Sequence, residues 1–302
     1  PNPRSEALAL AHAGDVASVP GLLAVLAEDR PGYRAAAADH LGAFLDRTEV
    51  RDALVRAASD GDPLVRFAAV GALAGAPIEP LAQALADPLR AVRVQASRAA
   101  RAQLTPSDPR AADYLAYLQL NADTPAALHE RGTWSLEQGR VQAALDDLSR
   151  AVDRDPRSPA IREALALAFA RAGEPGPAAE QLRAAVALAP SDGALWYRLG
   201  LAEAGVGDLA AAERALTTAT EVAADDARSW YNLGLVRDQL GGDGRSALER
   251  AAALAPGDPE PLYALASAAW RAGDQRRARS LAQRVLALDP THAGATAVLA
   301  AR

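Results

Sequence analysis

The chain has 302 residues, half of them hydrophobic, but alanine inflates that share and only three Phe are present. The formal net charge is −6 and every one of the 32 basic residues is Arg, so the basic excess of a nucleic-acid or anionic-membrane binder is missing. The absence of Lys and Cys excludes Schiff-base and Walker-type lysines, disulfides, thiolate chemistry and covalent haem attachment through CxxCH. Alanine-rich, aromatic-poor composition predicts an all-α chain. No apolar run approaches the length of a membrane span. The start at Pro1-Asn2-Pro3 without Met fits a processed product or a fragment.

Residues 4–13 read as a short helix ended by Gly14-Asp15. Further helices are predicted over 20–27, 31–45, 49–58, 63–74, 79–86 and 88–103, with Gly, Asp and Pro at their joints. Three joints share a pattern. An acid precedes an Arg by six residues at Glu28/Arg34, Asp60/Arg66 and Asp87/Arg93. The acid sits where it can cap the following helix. The Arg, one turn in, is placed to pair with an acid of the same or an adjacent repeat. The D-x-x-x-x-V-R-x-x-A spacing resembles HEAT-like repeats, which form such a ladder. The spacing is irregular, since these arginines lie 32 and 27 residues apart.

Residues 104–108 (LTPSD) read as a seam. A helix over 109–120 follows, with Tyr114, Tyr117 and Leu118 on its apolar face. Beyond it the chain becomes periodic. Gly139, Gly173, Gly207, Gly241 and Gly273 recur every 34, 34, 34 and 32 residues. Pro156, Pro190, Pro256 and Pro290 keep the same period, with Ala224 in the missing slot. Each unit reads as two amphipathic helices joined by a glycine turn. Small residues recur at its eighth position (Gly132, Ala166, Gly200, Gly234, Ala266) and on the facing helix (Ala144, Ala178, Ala212, Ala278). With the W-x2-L-G opening at Trp196 and Trp230, this resembles the tetratricopeptide repeat (TPR) family. No single repeat can bury its own apolar face, so neighbours must stack.

The expected architecture is therefore all-α: a right-handed α-solenoid of HEAT-like helix pairs followed by TPR helix pairs. The expected parts are HEAT-like repeats over 1–105, a joining half-repeat over 106–124, five TPR repeats over 125–292 and a capping helix over 293–302. The repeats run 125–158, 159–192, 193–226, 227–258 and 259–292. The fourth is two residues short, and Gly244 stands where alanine is expected, which predicts a local weak point or kink.

The TPR resemblance implies a concave groove lined by the first helices. Its fifth positions are His129, Glu163, Tyr197, Tyr231 and Tyr263. Arg198 and Asn232, with Trp270 and Arg271 at the end of the fifth repeat, complete the expected partner-binding set. Tyr, Trp and Arg are the types enriched at binding hot spots. The ninth positions include Leu167, Leu201 and Leu235, which predicts an apolar groove suited to a helix or apolar peptide. The Lys-and-Asn carboxylate clamp of some chaperone-binding TPR domains is missing. Trp196 and Trp230 read as core, whereas Trp134 is off that position. The four histidines form no metal-ligand pair, and no G-x-S-x-G or phosphate loop is present. The chain is therefore expected to be non-catalytic, without metal or cofactor: a scaffold for a protein or peptide ligand.

The order of parts, joined by Y-L-x-Y-L-Q-L-N-A-D-x-P-x-A (Tyr114 to Ala126), resembles the non-haem C-terminal region of some bacterial multihaem c-type cytochromes. That resemblance implies a periplasmic or extracellular partner that positions or coats such a cytochrome. The rival expectation is a self-associating structural protein that stacks end to end into a filament. No nucleic-acid partner is expected.

Overall fold

The computed structural model describes residues 3–12 and 15–301, without the side chains of residues 3–6 and 28. The expected break at Gly14 lies outside the described residues, as does the side chain of Glu28. Every regular element among the described residues is helical, so the chain is all-α. It divides into two compact units, Pro1–Arg140 and Val141–Arg302.

The first unit holds α1 (Pro3–His12), α2 (Val19–Glu28), α3 (Pro31–Leu41), α4 (Thr48–Ala57), α5 (Pro63–Ala72), α6 (Arg90–Ala99), α7 (Ala112–Leu120) and α8 (Pro125–Glu137). Helices α3, α5, α6 and α7 pack successively against one another, with α2 and α4 laid against this row. The helix expected over 79–86 is instead two 3-10 turns, Glu79–Leu81 and Ala84–Ala86. Their bonds run three residues back, as from Leu81 N–H to Ile78 O and from Ala86 N–H to Gln83 O. The tighter winding still buries Leu81, Ala84 and Leu85.

The acid–Arg pattern resolves into a forward ladder. Arg34 grips Asp60 with two bonds of 2.6 and 2.9 Å. Arg66 grips Asp87 at 2.7 and 3.2 Å, and Arg93 reaches Asp113 at 2.6 Å. Each Arg thus pairs forward rather than with its own acid: Arg34 and Arg66 with the acid of the next joint, and Arg93 with Asp113 in the first turn of α7. Arg66 and Arg93 also donate to their own joint carbonyls, Asp60 O and Asp87 O. Burial pushes Asp87 up, but the Arg66 guanidinium, the Leu89 N–H and the nearby arginine charges outweigh it and hold the carboxyl below its ordinary range. Trp134 is the largest fully buried side chain. Its indole donates to Arg101 O at 3.0 Å, and its ring lies 5.4 Å from that of Tyr114.

The second unit holds α9 (Val141–Arg154), α10 (Pro159–Ala172), α11 (Pro175–Leu188), α12 (Gly193–Val206), α13 (Leu209–Val222), α14 (Ala227–Gln239), α15 (Arg245–Leu254), α16 (Glu260–Arg271), α17 (Gln275–Leu288) and α18 (Ala293–Ala300). Consecutive helices pack as antiparallel pairs, and each pair packs on the next. The glycines that break the pairs are left-handed: Gly173, Gly207, Gly241 and Gly273 have φ of 79°, 91°, 78° and 80°. Side chains other than glycine resist that conformation. At the eighth position the helices nearly touch. A Cβ on Gly200 would lie 2.5 Å from Leu216 Cγ, and one on Gly234 would lie 2.6 Å from Leu248 Cγ.

Trp196 and Trp230 are half-buried rather than core. Their indoles donate to carbonyls six residues back, Pro190 O at 2.9 Å and Ala224 O at 3.0 Å. Arg162, at the same repeat position, makes the same bond to Pro156 O. The bond uses a main-chain carbonyl, so Ala224 serves as well as proline. In the short fourth repeat, α15 has 10 residues where α13 and α17 have 14. Gly244 precedes it, and a Cβ there would collide with the carbonyl oxygen of Gly234. The alanine expected by pattern therefore cannot fit.

Candidate functional site

The first helices of successive pairs, α10, α12, α14 and α16, form one face of the second unit. Their ends are set by caps. Asp192 accepts the Ala194 N–H at 2.9 Å at the start of α12. Asp226 accepts the Ser229 N–H and hydroxyl at the start of α14. With register fixed in this way, residues three and four apart return to the same face.

Glu163 on α10 pairs with Arg198 on α12 at 2.8 Å, both partly exposed. Tyr197 is half-buried, and the Arg228 guanidinium lies 5.4 Å from its ring centroid. Asn232 donates to Arg228 O at 2.9 Å, so its amide holds the turn that carries Arg228. Tyr231 is half-buried against the core cluster of Leu262 and Leu265. Burial pushes its phenol up, and the Glu260 and Asp258 charges add to the shift. Between these polar groups, Leu167 and Leu201 stand 50% and 41% exposed. The middle of the face therefore combines wet leucines, two tyrosine rings and a guanidinium on one of them. Such a surface can desolvate apolar side chains and give a peptide backbone polar anchors, but it holds no nucleophile–base pair. No metal-ligating cluster occurs among the described residues.

The remaining expected residues lie apart from this centre. Tyr263 is covered by the chain itself. His292 lies 4.5 Å from its ring, and a Cβ on Gly294 of α18 would collide with that ring. Trp270 is half-buried. Arg271 pairs with Asp238 at 2.9 Å near the α14–α15 turn. His129 is half-buried in α8 of the first unit, where its carbonyl accepts the Thr133 hydroxyl. Sequence reasoning passed over Arg228. It stands at the second repeat position, which the TPR pattern also points to the groove, and that signal was available.

With this geometry in view, residues 19–77 match the HEAT repeat family. Residues 130–193 and 197–259 match the tetratricopeptide repeat family. Among solved structures, a MamA protein is similar at 23% identity over 57% of this chain and 95% of its own, with a TM-score of 0.54. MamA 41-end from Desulfovibrio magneticus RS-1 is similar at 23% identity over 57% and 98%, with a TM-score of 0.52. YrrB, described as a TPR protein with an unusual peptide-binding site, is similar at 14% identity over 61% and 96%, with a TM-score of 0.54. At these identities the likeness is one of fold. No curated protein matches the chain.

Proposed function

We propose that the chain is a non-catalytic interaction scaffold that holds a peptide or helix of another protein on the α10–α12–α14 face. The observation that carries this reading is the pair of wet leucines, Leu167 and Leu201, flanked by Tyr197 and its Arg228 partner. Large exposed apolar groups rimmed by polar ones mark interaction surfaces. The fold likeness to YrrB, whose description names a peptide-binding site, supports the same reading. Of the expected groove residues, Glu163, Tyr197, Arg198, Tyr231 and Asn232 form the proposed contact set, while the HEAT-like part over 1–105 supplies a separate scaffold.

The test is selection of peptides from a random display library on the intact chain, followed by calorimetry. Selected peptides should be rich in apolar residues. Leu201→Glu should weaken them at least about tenfold, because losing a desolvated hot-spot contact costs about 2 kcal/mol or more. Unchanged affinity would refute the assignment.

Two finer readings extend this proposal. The order of parts and the Tyr114–Ala126 joint support a multihaem c-type cytochrome as the partner, in a periplasmic or extracellular setting. A Soret band in material co-purified from the native source would support it, and a clear spectrum would remove it. The rival is end-to-end self-assembly, for which light scattering must show size rising with concentration.

A further inference from the structure

Beyond the α10–α12–α14 contact set, the second unit carries three adjoining open depressions along α15–α17. One of about 540 Å3 lies between the α14–α15 turn and α16, with Arg245, Leu265, Ala269 and Arg271 in its lining. The next, of about 450 Å3, shares Leu265 and Arg277 with it and adds Glu249, Arg276, Leu281 and Arg284. A third, of about 610 Å3, continues from Arg276 and Ser280 to Arg279. The shared residues make them one track. Its head lies where α15 is short: that helix begins only at Arg245, and no first turn fills the space beside Leu265.

Charge is unevenly committed along the track. Four carboxylates line it, and each already holds a donor. Asp238 accepts from Gly244 N–H and Arg271, and Asp243 accepts from Arg245 N–H. Asp274 accepts from Arg277 N–H, and Glu249 accepts from the Arg277 guanidinium. The guanidiniums of Arg245, Arg276 and Arg284, in contrast, have no partner among the described residues. In a chain of net charge −6, this is a local surplus of free forked donors on exposed side chains.

We propose that this track is a second docking site, which takes an extended acidic peptide segment of a partner protein. Its carboxylates meet Arg245, Arg276 and Arg284. Guanidiniums match carboxylates with two parallel bonds. A nucleic acid fits less well, since the net negative chain repels it at range and the lining offers no ring for a base to stack on.

The test is fluorescence anisotropy with a labelled peptide alternating Glu with Leu, against the full chain at low salt. Binding should weaken about tenfold in the triple variant Arg245→Gln/Arg276→Gln/Arg284→Gln, since three exposed charge contacts, each weak alone, are lost together. Circular dichroism should show unchanged melting, because all three side chains are exposed. Leu201→Glu, on the other face, should leave this binding intact. Replacing the peptide glutamates with Gln should abolish it, and replacing its leucines with Ser should leave it intact. No binding by the wild type, or equal binding by the triple variant, would overturn the proposal. An oligonucleotide of matched charge binding as tightly as the peptide would also overturn it, by reducing the track to a generic polyanion surface. So would self-association abolished by the triple variant, by assigning the track to a second copy of this chain.

Discussion

Single residues decide where these helices can approach. Gly200 sits mid-helix, where glycine costs about 1 kcal/mol relative to alanine. Propensity alone would favour Gly200→Ala. The added Cβ, 2.5 Å from Leu216 Cγ and 3.4 Å from Ala212 O, sets an overpacking cost of about 1–3 kcal/mol against that gain. Steric cost wins, and the variant should melt lower than wild type by circular dichroism. Ala212 is fully buried on the facing helix, and Ala212→Leu adds three carbons there with no propensity gain. It should be the more destabilising of the two, and the reverse ranking would break the repeat register. Tyr231 makes a poorer probe of binding than Leu201. It packs on the core, so truncating it disturbs stability as well.

Asp87 and Asp113 contribute to the pH dependence of the first unit, beside the exposed Asp108, whose carboxyl the Arg110 bond lowers to about 2. For Asp113 the Arg93 bond lowers the carboxyl against the effect of burial. Both acids titrate lower folded than unfolded. Their contribution is therefore full above the unfolded value of about 3.9 and is lost as pH falls through the lowered folded values. Fluorescence of Trp134, the one tryptophan in the first unit, should report acid unfolding below about pH 4. This readout needs the other three tryptophans replaced by Phe. Asp87→Asn should flatten that slope. A slope unchanged by the substitution would place the acid sensitivity elsewhere.

At the scale of elements, the ladder joins each helix of the α3–α5–α6–α7 row to the next. Arg66 and Asp87 are only 14% and 6% exposed. Arg66→Met strands a buried carboxylate and should cost about 3–5 kcal/mol, the usual loss when one partner of a buried pair is removed, read as a lower Trp134 transition. The pairing residues were legible in the sequence, since the six-residue spacing singled out Arg34, Arg66 and Arg93. The direction of pairing was not, because it depends on which joint comes nearest once the helices stack. The 3-10 turns at 79–86 were missed for a similar reason. Their apolar spacing fits a helix, and nothing in it marks bonds that run three residues back. The indole bonds of Trp196 and Trp230 were hidden too: the periodic slot at Pro190 and Ala224 was visible, but nothing in it marks its main-chain carbonyl as an acceptor.

For the whole molecule, repeat period and turn glycines carried most of the fold into the sequence. Gly139, Gly173, Gly207, Gly241 and Gly273 all have positive φ, and the helix pairs follow the 34-residue spacing. The candidate site was legible in part. The fifth-position rule placed Tyr197 and Tyr231 on one face, but it gave no sign that α18 would cover Tyr263. It also named no ligand, because fold and function are separate questions. The central claim is that the first helices of the second unit, rather than the second helices, hold the partner. Amide hydrogen exchange with and without a display-selected apolar peptide tests it most directly. Slowed exchange in α10, α12 and α14, with α11 and α13 unchanged, is the predicted result. Protection confined to α11 and α13, or no protection under saturating peptide, would contradict it.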